Sequence, residues 1–288
     1  MSPSRKPPDF VVVSKLIIYQ DWVTRFLFFK KVVKCCINNI ACIVAGYMEK
    51  GRSYMKTLGL IGGMSWESTV PYYRIINEAV KERLGGLHSA RIILYSVEFA
   101  EIEKCQSTGD WARCGEIMTD AAVKLQQAGA DYIVICTNTM HKLVPDMLER
   151  LQIPIIHIAD AAAAALKEQG MKKAALLGTK YTMTQDFYKQ RLVDNGIEVV
   201  VPEAGDIEIV NDVIYNELCR GEIREESRRQ YAEIISKLKE AGAEGVILGC
   251  KEIGLLVRAE DSVLPIFDTT VIHAARAAEI ALEDSKGY

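Results

Sequence analysis

The chain has 288 residues, of which 49% are hydrophobic and 25% are charged. This composition is typical of a globular protein with two domains or one large one, and it excludes global disorder and a disulfide-framed miniprotein. The net charge of −3 gives no basic field for nucleic acid. Eight cysteines without a C-x-x-C pair and four histidines exclude a zinc finger. Thiols in a chain of this size favour a reducing, cytoplasmic compartment.

Residues 1–54 differ from the rest of the chain. They carry a net charge of +6, whereas the remaining 234 residues carry −9. Their longest uncharged run, residues 35–48, is 14 residues long. A membrane-spanning helix needs about 20. We therefore interpret residues 1–54 as a non-core extension upstream of a native start at Met55, and we expect membrane contact only if this segment belongs to the native protein.

After Met55, short apolar runs alternate with helical patterns. Strands are predicted in the first half at 57–62, 90–97, 131–136 and 153–157, and in the second at 173–178, 197–201, 244–249 and 264–267. Helices are predicted at 69–83, 112–128, 140–151, 184–194, 206–219 and 225–241. Apolar strands separated by helices indicate parallel sheets buried on both faces.

The two halves repeat one another. Leu58–Gly62 recurs as Ala174–Gly178, the Ala-Gly-Ala before Cys136 recurs before Cys250, and Ile153-Pro154 recurs as Leu264-Pro265, at offsets of 116, 114 and 111 residues. The repeat predicts an α/β fold with two pseudosymmetric, doubly wound domains, each with a parallel four-stranded sheet. We predict a first domain of 55–158 with 270–288 and a second of 159–269. The active site is expected in the cleft between them, because ligands of open α/β sheets bind at the carboxyl edges of the strands.

Two cysteines occupy equivalent strand ends. Cys136 and Cys250 each follow a buried strand and precede a helix, where the helix dipole is expected to lower the pKa of a thiol. Two thiols related by a pseudo-twofold axis suit removal of a proton from one face of a carbon and its return to the other. Cys105, Cys114 and Cys219 have no equivalent partners and are interpreted as structural.

Hydroxyl, amide and backbone donors surround these strand ends. Thr137, Asn138 and Thr139 follow the first cysteine and predict a carboxylate-binding site. The loop after the first strand offers the Ser65 hydroxyl, and Thr182 is a candidate donor in the equivalent second loop. Neither loop carries a dinucleotide or P-loop motif. Two histidines lie nearby: His141 either lines the cleft or packs against a loop, and His157 is interpreted as structural.

These motifs together resemble the aspartate/glutamate racemase family over residues 55–288. The resemblance lies in Gly62-Gly63-Met64, in Cys136 to Thr139, and in Gly249-Cys250-Lys251-Glu252. It implies cofactor-independent racemisation of a small amino acid, without metal or pyridoxal phosphate, in a homodimer.

The resemblance also implies roles for individual residues. Cys136 and Cys250 would exchange the roles of thiolate base and thiol acid. The α-carboxylate would be held by the donors already described, together with the backbone at Met64. The surrounding Ser65-to-Thr69 segment is most similar to the broad-specificity bacterial branch.

Two departures from the family pattern bear on the substrate. Lys251 replaces the usual threonine. Its side chain would lower the pKa of Cys250, contact a substrate carboxylate, occupy space that the substrate needs, or point to solvent. The segments 98–101 and 206–209 lack the basic residues that acidic-substrate members use. This favours neutral or broader side chains. The alternative functions are cis–trans isomerisation of a small dicarboxylate and a binding homologue impaired by Lys251.

Overall fold

The computed structural model describes residues 55–283, so the interpretation of residues 1–54 lies outside the described part of the chain. Within residues 55–283, no helix is both long enough and apolar enough to cross a membrane. The described residues form two four-stranded sheets flanked by helices.

The first sheet contains strands β1 to β4 in the order β2-β1-β3-β4, all parallel. Its strands are β1 (Leu58–Gly62), β2 (Ile92–Ser96), β3 (Tyr132–Ile135) and β4 (Ile155–Ile156). The helices of this half are α1 (Trp66–Leu84), α2 (Phe99–Thr108), α3 (Trp111–Gln127) and α4 (Val144–Leu148), with a 3-10 turn at Thr139–Leu143 before α4.

The second sheet has the equivalent order, β6-β5-β7-β8, again all parallel. Helix α5 (Ile158–Glu168) leads into β5 (Lys173–Leu177), α6 (Lys180–Thr184), α7 (Asp186–Asp194), β6 (Glu198–Val200) and α8 (Ala204–Asn216). A 3-10 turn at Leu218–Arg220 follows, then α9 (Glu225–Glu240), β7 (Gly245–Leu248), α10 (Ile253–Leu256), a 3-10 turn at Ala259–Asp261, β8 (Ile266–Asp268) and α11 (Thr269–Glu283). The matching strand orders confirm the predicted pair of α/β halves.

One central strand of each sheet is buried along its whole length. All five residues of β1 and all four of β7 are buried, because helices cover both faces of each sheet. Helix α11 returns to the first sheet, where Ala274 and Ala278 pack with Leu58 and Tyr72. This packing agrees with the predicted return of the chain to the first half; the domain boundaries themselves stay a prediction.

Several elements differ from the sequence prediction. Helices α5 and α11 lie where no helix is predicted, and two further differences concern the first half. Segment 98–101, where no helix is predicted, begins α2, and the Glu98 side chain caps it by accepting a hydrogen bond from the Ala100 N–H at 3.2 Å. Only Ile102 and Cys105 of this helix are buried, so its apolar period is weak. The helix predicted over 140–151 is instead a 3-10 turn followed by five-residue α4, whose start carries Pro145, a residue without a backbone donor.

Candidate active site

The carboxyl ends of both sheets line one cavity of about 670 Å³. Among its walls are both predicted catalytic cysteines and every other predicted site residue except Thr182: Met64, Ser65, Cys136, Thr137, Asn138, Thr139, Cys250 and Lys251. Right-handed crossovers place each strand-to-helix loop at this edge, which is why residues far apart in sequence meet here.

Cys136 lies directly after β3 and is 2% exposed. Its backbone N–H donates to the Ile61 carbonyl at 3.0 Å, which fixes the strand end beside β1. The thiol has one weak partner, the Val134 carbonyl at 3.9 Å. Burial raises the pKa of the Cys136 thiol, because a buried thiolate loses its hydration.

Cys250 lies two residues after β7 and is partly buried. Its Sγ donates a hydrogen bond to Oε2 of Glu252 at 2.9 Å. Burial, followed by the charge of the Glu252 carboxylate, raises the pKa of Cys250 well above its ordinary value. The two thiols therefore differ, since no carboxylate among residues 55–283 contacts Cys136.

The prediction that helix dipoles lower both thiol pKa values is wrong, because burial raises both. Cys136 is followed by a five-residue 3-10 turn, and Cys250 by the four-residue helix α10. Such short elements have too few aligned peptide dipoles to offset the burial of a thiolate.

Lys251 lies in the cavity wall and contacts residues of both halves of the protein. Its Nζ lies 3.2 Å from Oγ of Ser65 and 3.5 Å from Oε1 of Glu252. The Lys251 and Glu252 side chains are only 17% and 16% exposed. Hydrogen bonding from Ser65, and more weakly the charge of Lys251, holds the pKa of Glu67 below its usual range. The ammonium group is therefore placed among polar partners and does not point freely into solvent.

Asn138 is one of the predicted carboxylate donors. The orientation of its side-chain amide follows from its hydrogen bonds. The Thr269 hydroxyl donates to the Leu248 carbonyl at 2.7 Å, so its oxygen accepts from Nδ2 of Asn138 at 3.1 Å. The Asn138 Oδ1 atom is buried and has no hydrogen-bond partner within the described part of the chain. A ligand donor beside Cys136 would satisfy it.

Thr182 lies behind the cavity wall. It is fully buried, and its Oγ1 is 3.2 Å from Oγ1 of Thr179. Thr179, which caps α6, lines the cavity in its place. The second loop thus presents its hydroxyl three residues earlier than the sequence analysis expected.

His141 and His157 do not line the cavity. His141 is buried, and its Nδ1–H donates to the Thr137 carbonyl at 2.8 Å while its Nε2 accepts from Ile158 N–H at 3.2 Å. Burial lowers the pKa of His141 well below its ordinary value. His141 therefore packs against the loop after Cys136, and His157 is structural, since its side chain caps α5.

Several lining residues were missed or misassigned. Cys219, interpreted as structural, is exposed and lines the cavity next to Arg220. Both residues belong to a 3-10 turn whose position depends on how α8 ends, which no local pattern reveals. Glu67 and Glu252 also line the cavity. Both could have been found from the sequence, because Glu67 lies in the Ser65-to-Thr69 segment and Glu252 in the motif that contains Cys250.

The paired sheets define a two-domain α/β fold with two strand-end cysteines in one cavity. The Asp/Glu/hydantoin racemase family matches residues 61–277, and the chain belongs to that family. It is 23% identical over 220 residues to the broad-specificity amino-acid racemase RacX of Bacillus subtilis (strain 168), covering 74% of this chain and 92% of that protein. The family resemblance seen in the sequence is thereby confirmed.

Two solved structures share this fold and substantial sequence identity. A proposed Asp/Glu racemase from Yersinia pestis is 56% identical with a TM-score of 0.76, over 79% of this chain and 100% of that chain. An aspartate racemase homologue from Pyrococcus horikoshii OT3 is 36% identical with a TM-score of 0.69, over 79% and 99%.

Proposed function

We propose that the protein is a cofactor-independent racemase that interconverts L- and D-amino acids by proton transfer at Cα between two cysteines. The observation that carries this proposal is the position of Cys136 and Cys250. They end equivalent strands of two matching sheets and line one cavity. Such an arrangement offers one acid–base group to each face of a bound carbon.

In the proposed reaction, one cysteine is a thiolate and the other a thiol when the substrate's Cα is between them. The thiolate takes the Cα proton, and the thiol gives its own proton to the opposite face. For the other enantiomer the roles are reversed. Burial makes each thiolate costly to form, and the same burial makes it a strong base once formed.

The charge that develops on the substrate carboxylate needs preorganised donors. Thr137 and Thr139 flank Asn138 at the wall beside Cys136, and the Met64–Ser65 segment lies on the same cavity. In the second loop we assign this role to the Thr179 hydroxyl, which is hydrogen-bonded to the buried Thr182 hydroxyl. The partnerless Asn138 Oδ1 is an acceptor, which suits the substrate's ammonium group.

For the side chain of the substrate we propose broad specificity. Lys251 is the cation beside Cys250, but it already contacts Glu252 and Ser65. The exposed apolar side chains of Trp66, Phe99 and Leu255 line the cavity and suit neutral side chains. Arg220 is a cation of the wall with no ion-pair partner among residues 55–283, so acidic side chains also fall within the range.

A second candidate is cis–trans isomerisation of a small dicarboxylate with a single nucleophilic cysteine. The observation that favours it is the difference between the two thiols. In the described part of the chain, Cys250 is hydrogen-bonded to a carboxylate and Cys136 is not. This reaction does not exchange a Cα proton with solvent, so the two functions give different outcomes in deuterium oxide.

The test is racemisation of a panel of amino acids by the full chain, by Cys136→Ser and by Cys250→Ser, without added cofactor. Cys219→Ser is the matched control, because it removes an exposed thiol from the same cavity. We expect each catalytic variant to lose about 10²- to 10⁴-fold in rate, the usual range for one acid–base group, and the control to stay active. Activity that survives in both variants would refute the two-cysteine reaction.

A further inference from the structure

A continuous series of polar contacts runs from one catalytic thiol to the opposite half of the protein. Cys250 Sγ donates to Glu252 Oε2 at 2.9 Å, and Glu252 Oε1 is 3.5 Å from Lys251 Nζ. Lys251 Nζ then contacts Ser65 Oγ at 3.2 Å. The carboxylate of Glu252 therefore has one oxygen on the thiol and the other on the ammonium group.

In this geometry the ammonium group of Lys251 affects the proton transfer at Cys250. When Cys250 donates its proton to carbon, a thiolate is left next to the carboxylate of Glu252. Two negative groups at that distance repel each other and oppose the proton transfer. The positive charge of Lys251, on the far side of the same carboxylate, offsets this repulsion.

We propose that Lys251 is a positioning residue that balances the charge of Glu252 and so determines how readily Cys250 releases its proton. It acts through Glu252 and does not bind the substrate itself. The inference rests on the proposed function for the part that Cys250 plays in turnover, whereas the ionisation of the thiol is measured without any substrate.

Other titratable groups also face Cys250. Cys219 follows α8, Tyr215 lies near the end of α8, and Tyr231 lies on α9. Partial loss of hydration, followed by the charge of Glu252, raises the pKa of Cys219 to about 11, and partial loss of hydration raises that of Tyr215 to about 12. Burial raises the pKa of Tyr231, whose hydroxyl donates to the Val210 carbonyl. Glu252 contacts the Cys250 thiol directly and Lys251 contacts Glu252, so the charge of Glu252 acts on Cys250 at contact distance and that of Lys251 acts through Glu252.

The experiment measures the rate of Cys250 alkylation by iodoacetamide at pH 7, 8 and 9, using peptide mass spectrometry on the full chain. We expect Lys251→Met to slow alkylation and Glu252→Gln to accelerate it, each about threefold to tenfold, since a thiolate reacts and a thiol does not. The double variant is expected to return close to the wild-type rate, because it removes both charges together.

One control separates charge from structure. Lys251→Arg keeps the cation and is expected to keep the wild-type rate. Lys251→Met and Glu252→Gln shifting in the same direction, or neither shifting, would overturn the inference.

Folding and function are separated in the same series. If Lys251→Met does not fold by circular dichroism, Lys251→Gln and Glu252→Gln supply the opposite shifts. The predicted alkylation pattern without racemisation of any amino acid would uphold the charge pair and refute the proposed function. Racemisation without the predicted alkylation pattern would uphold the proposed function and refute the charge pair.

Discussion

The Nζ atom of Lys251 lies 3.2 Å from the Oγ atom of Ser65, although the two residues are 186 positions apart. The contact joins the loop after β7 to the start of α1, and so joins one half of the protein to the other across the cavity. Both residues line the cavity, so this contact connects its two walls.

Loss of this contact is expected to loosen the loop at the start of α1. In Lys251→Met, the Ser65 hydroxyl loses its charged partner, and a hydrogen bond of this kind contributes about 1.5–3 kcal/mol. Hydrogen–deuterium exchange of residues 63–69 is expected to be faster than in wild type, with Lys251→Arg close to wild type. Unchanged exchange in Lys251→Met would show that the contact does not order the loop.

Two glycines allow a matched test of the loop that carries Met64. Gly63 has φ of +89°, and an added Cβ would lie 2.3 Å from the Val97 carbonyl oxygen. Gly109 has φ of +74°, but its Cβ would meet no atom within 4 Å. Gly109→Ala is expected to cost about 1–2 kcal/mol in the free energy of unfolding, from backbone strain alone.

Gly63→Ala is expected to cost more than Gly109→Ala and to abolish activity, because the Met64 loop must move away from β2 to make room. Urea denaturation and racemisation assays of both variants measure this difference. Equal destabilisation would contradict the tight approach of the Gly63 backbone to Val97.

Acid is expected to destabilise the fold through its buried histidines. The Tyr72 hydroxyl donates to Nδ1 of His273 at 2.8 Å, and Nε2 of His273 donates to the Ile156 carbonyl at 2.8 Å. Burial lowers the pKa of His273 to about 4, from the ordinary value of 6.5. The unfolded chain therefore binds a proton that the folded chain excludes, and stability falls as the pH drops from about 6.5 to 4.

Urea denaturation between pH 4 and 7 measures this slope. His273→Gln is expected to show a shallower slope than wild type, because one such proton is no longer taken up on unfolding. His88→Gln is the control, since His88 is exposed, and its slope is expected to match wild type. A wild-type slope in His273→Gln would contradict the account.

The features that could be predicted from the sequence are those that strong local patterns define. The central strands β1 and β7 are continuous apolar runs, and duplication repeats the pattern, so the two sheets and both strand-end cysteines were found. Helix α2 was missed because only Ile102 and Cys105 of its residues are buried. One turn of apolar spacing does not distinguish a helix from a loop.

The remaining site features depend on contacts that no local pattern contains. Lys251 had four open interpretations, and the choice between them depends on Ser65 and Glu252 being within reach. The predicted low pKa of Cys250 failed for a related reason. Its helix is one turn long, and the side chain two residues later turns its carboxylate onto the thiol. Cys219 was misassigned because only the path of the chain after α8 brings it to the cavity.

The measurement that tests the central claim most directly is the position of solvent deuterium at early times in deuterium oxide. Starting from a single enantiomer of an amino acid that the full chain turns over, NMR with a chiral reagent follows deuterium at Cα in substrate and product separately. Two cysteines on opposite faces predict deuterium in the product enantiomer, with the remaining substrate still protonated. Deuterium entering substrate and product at equal rates would contradict the account, because it would require one group to remove and return the proton on both faces.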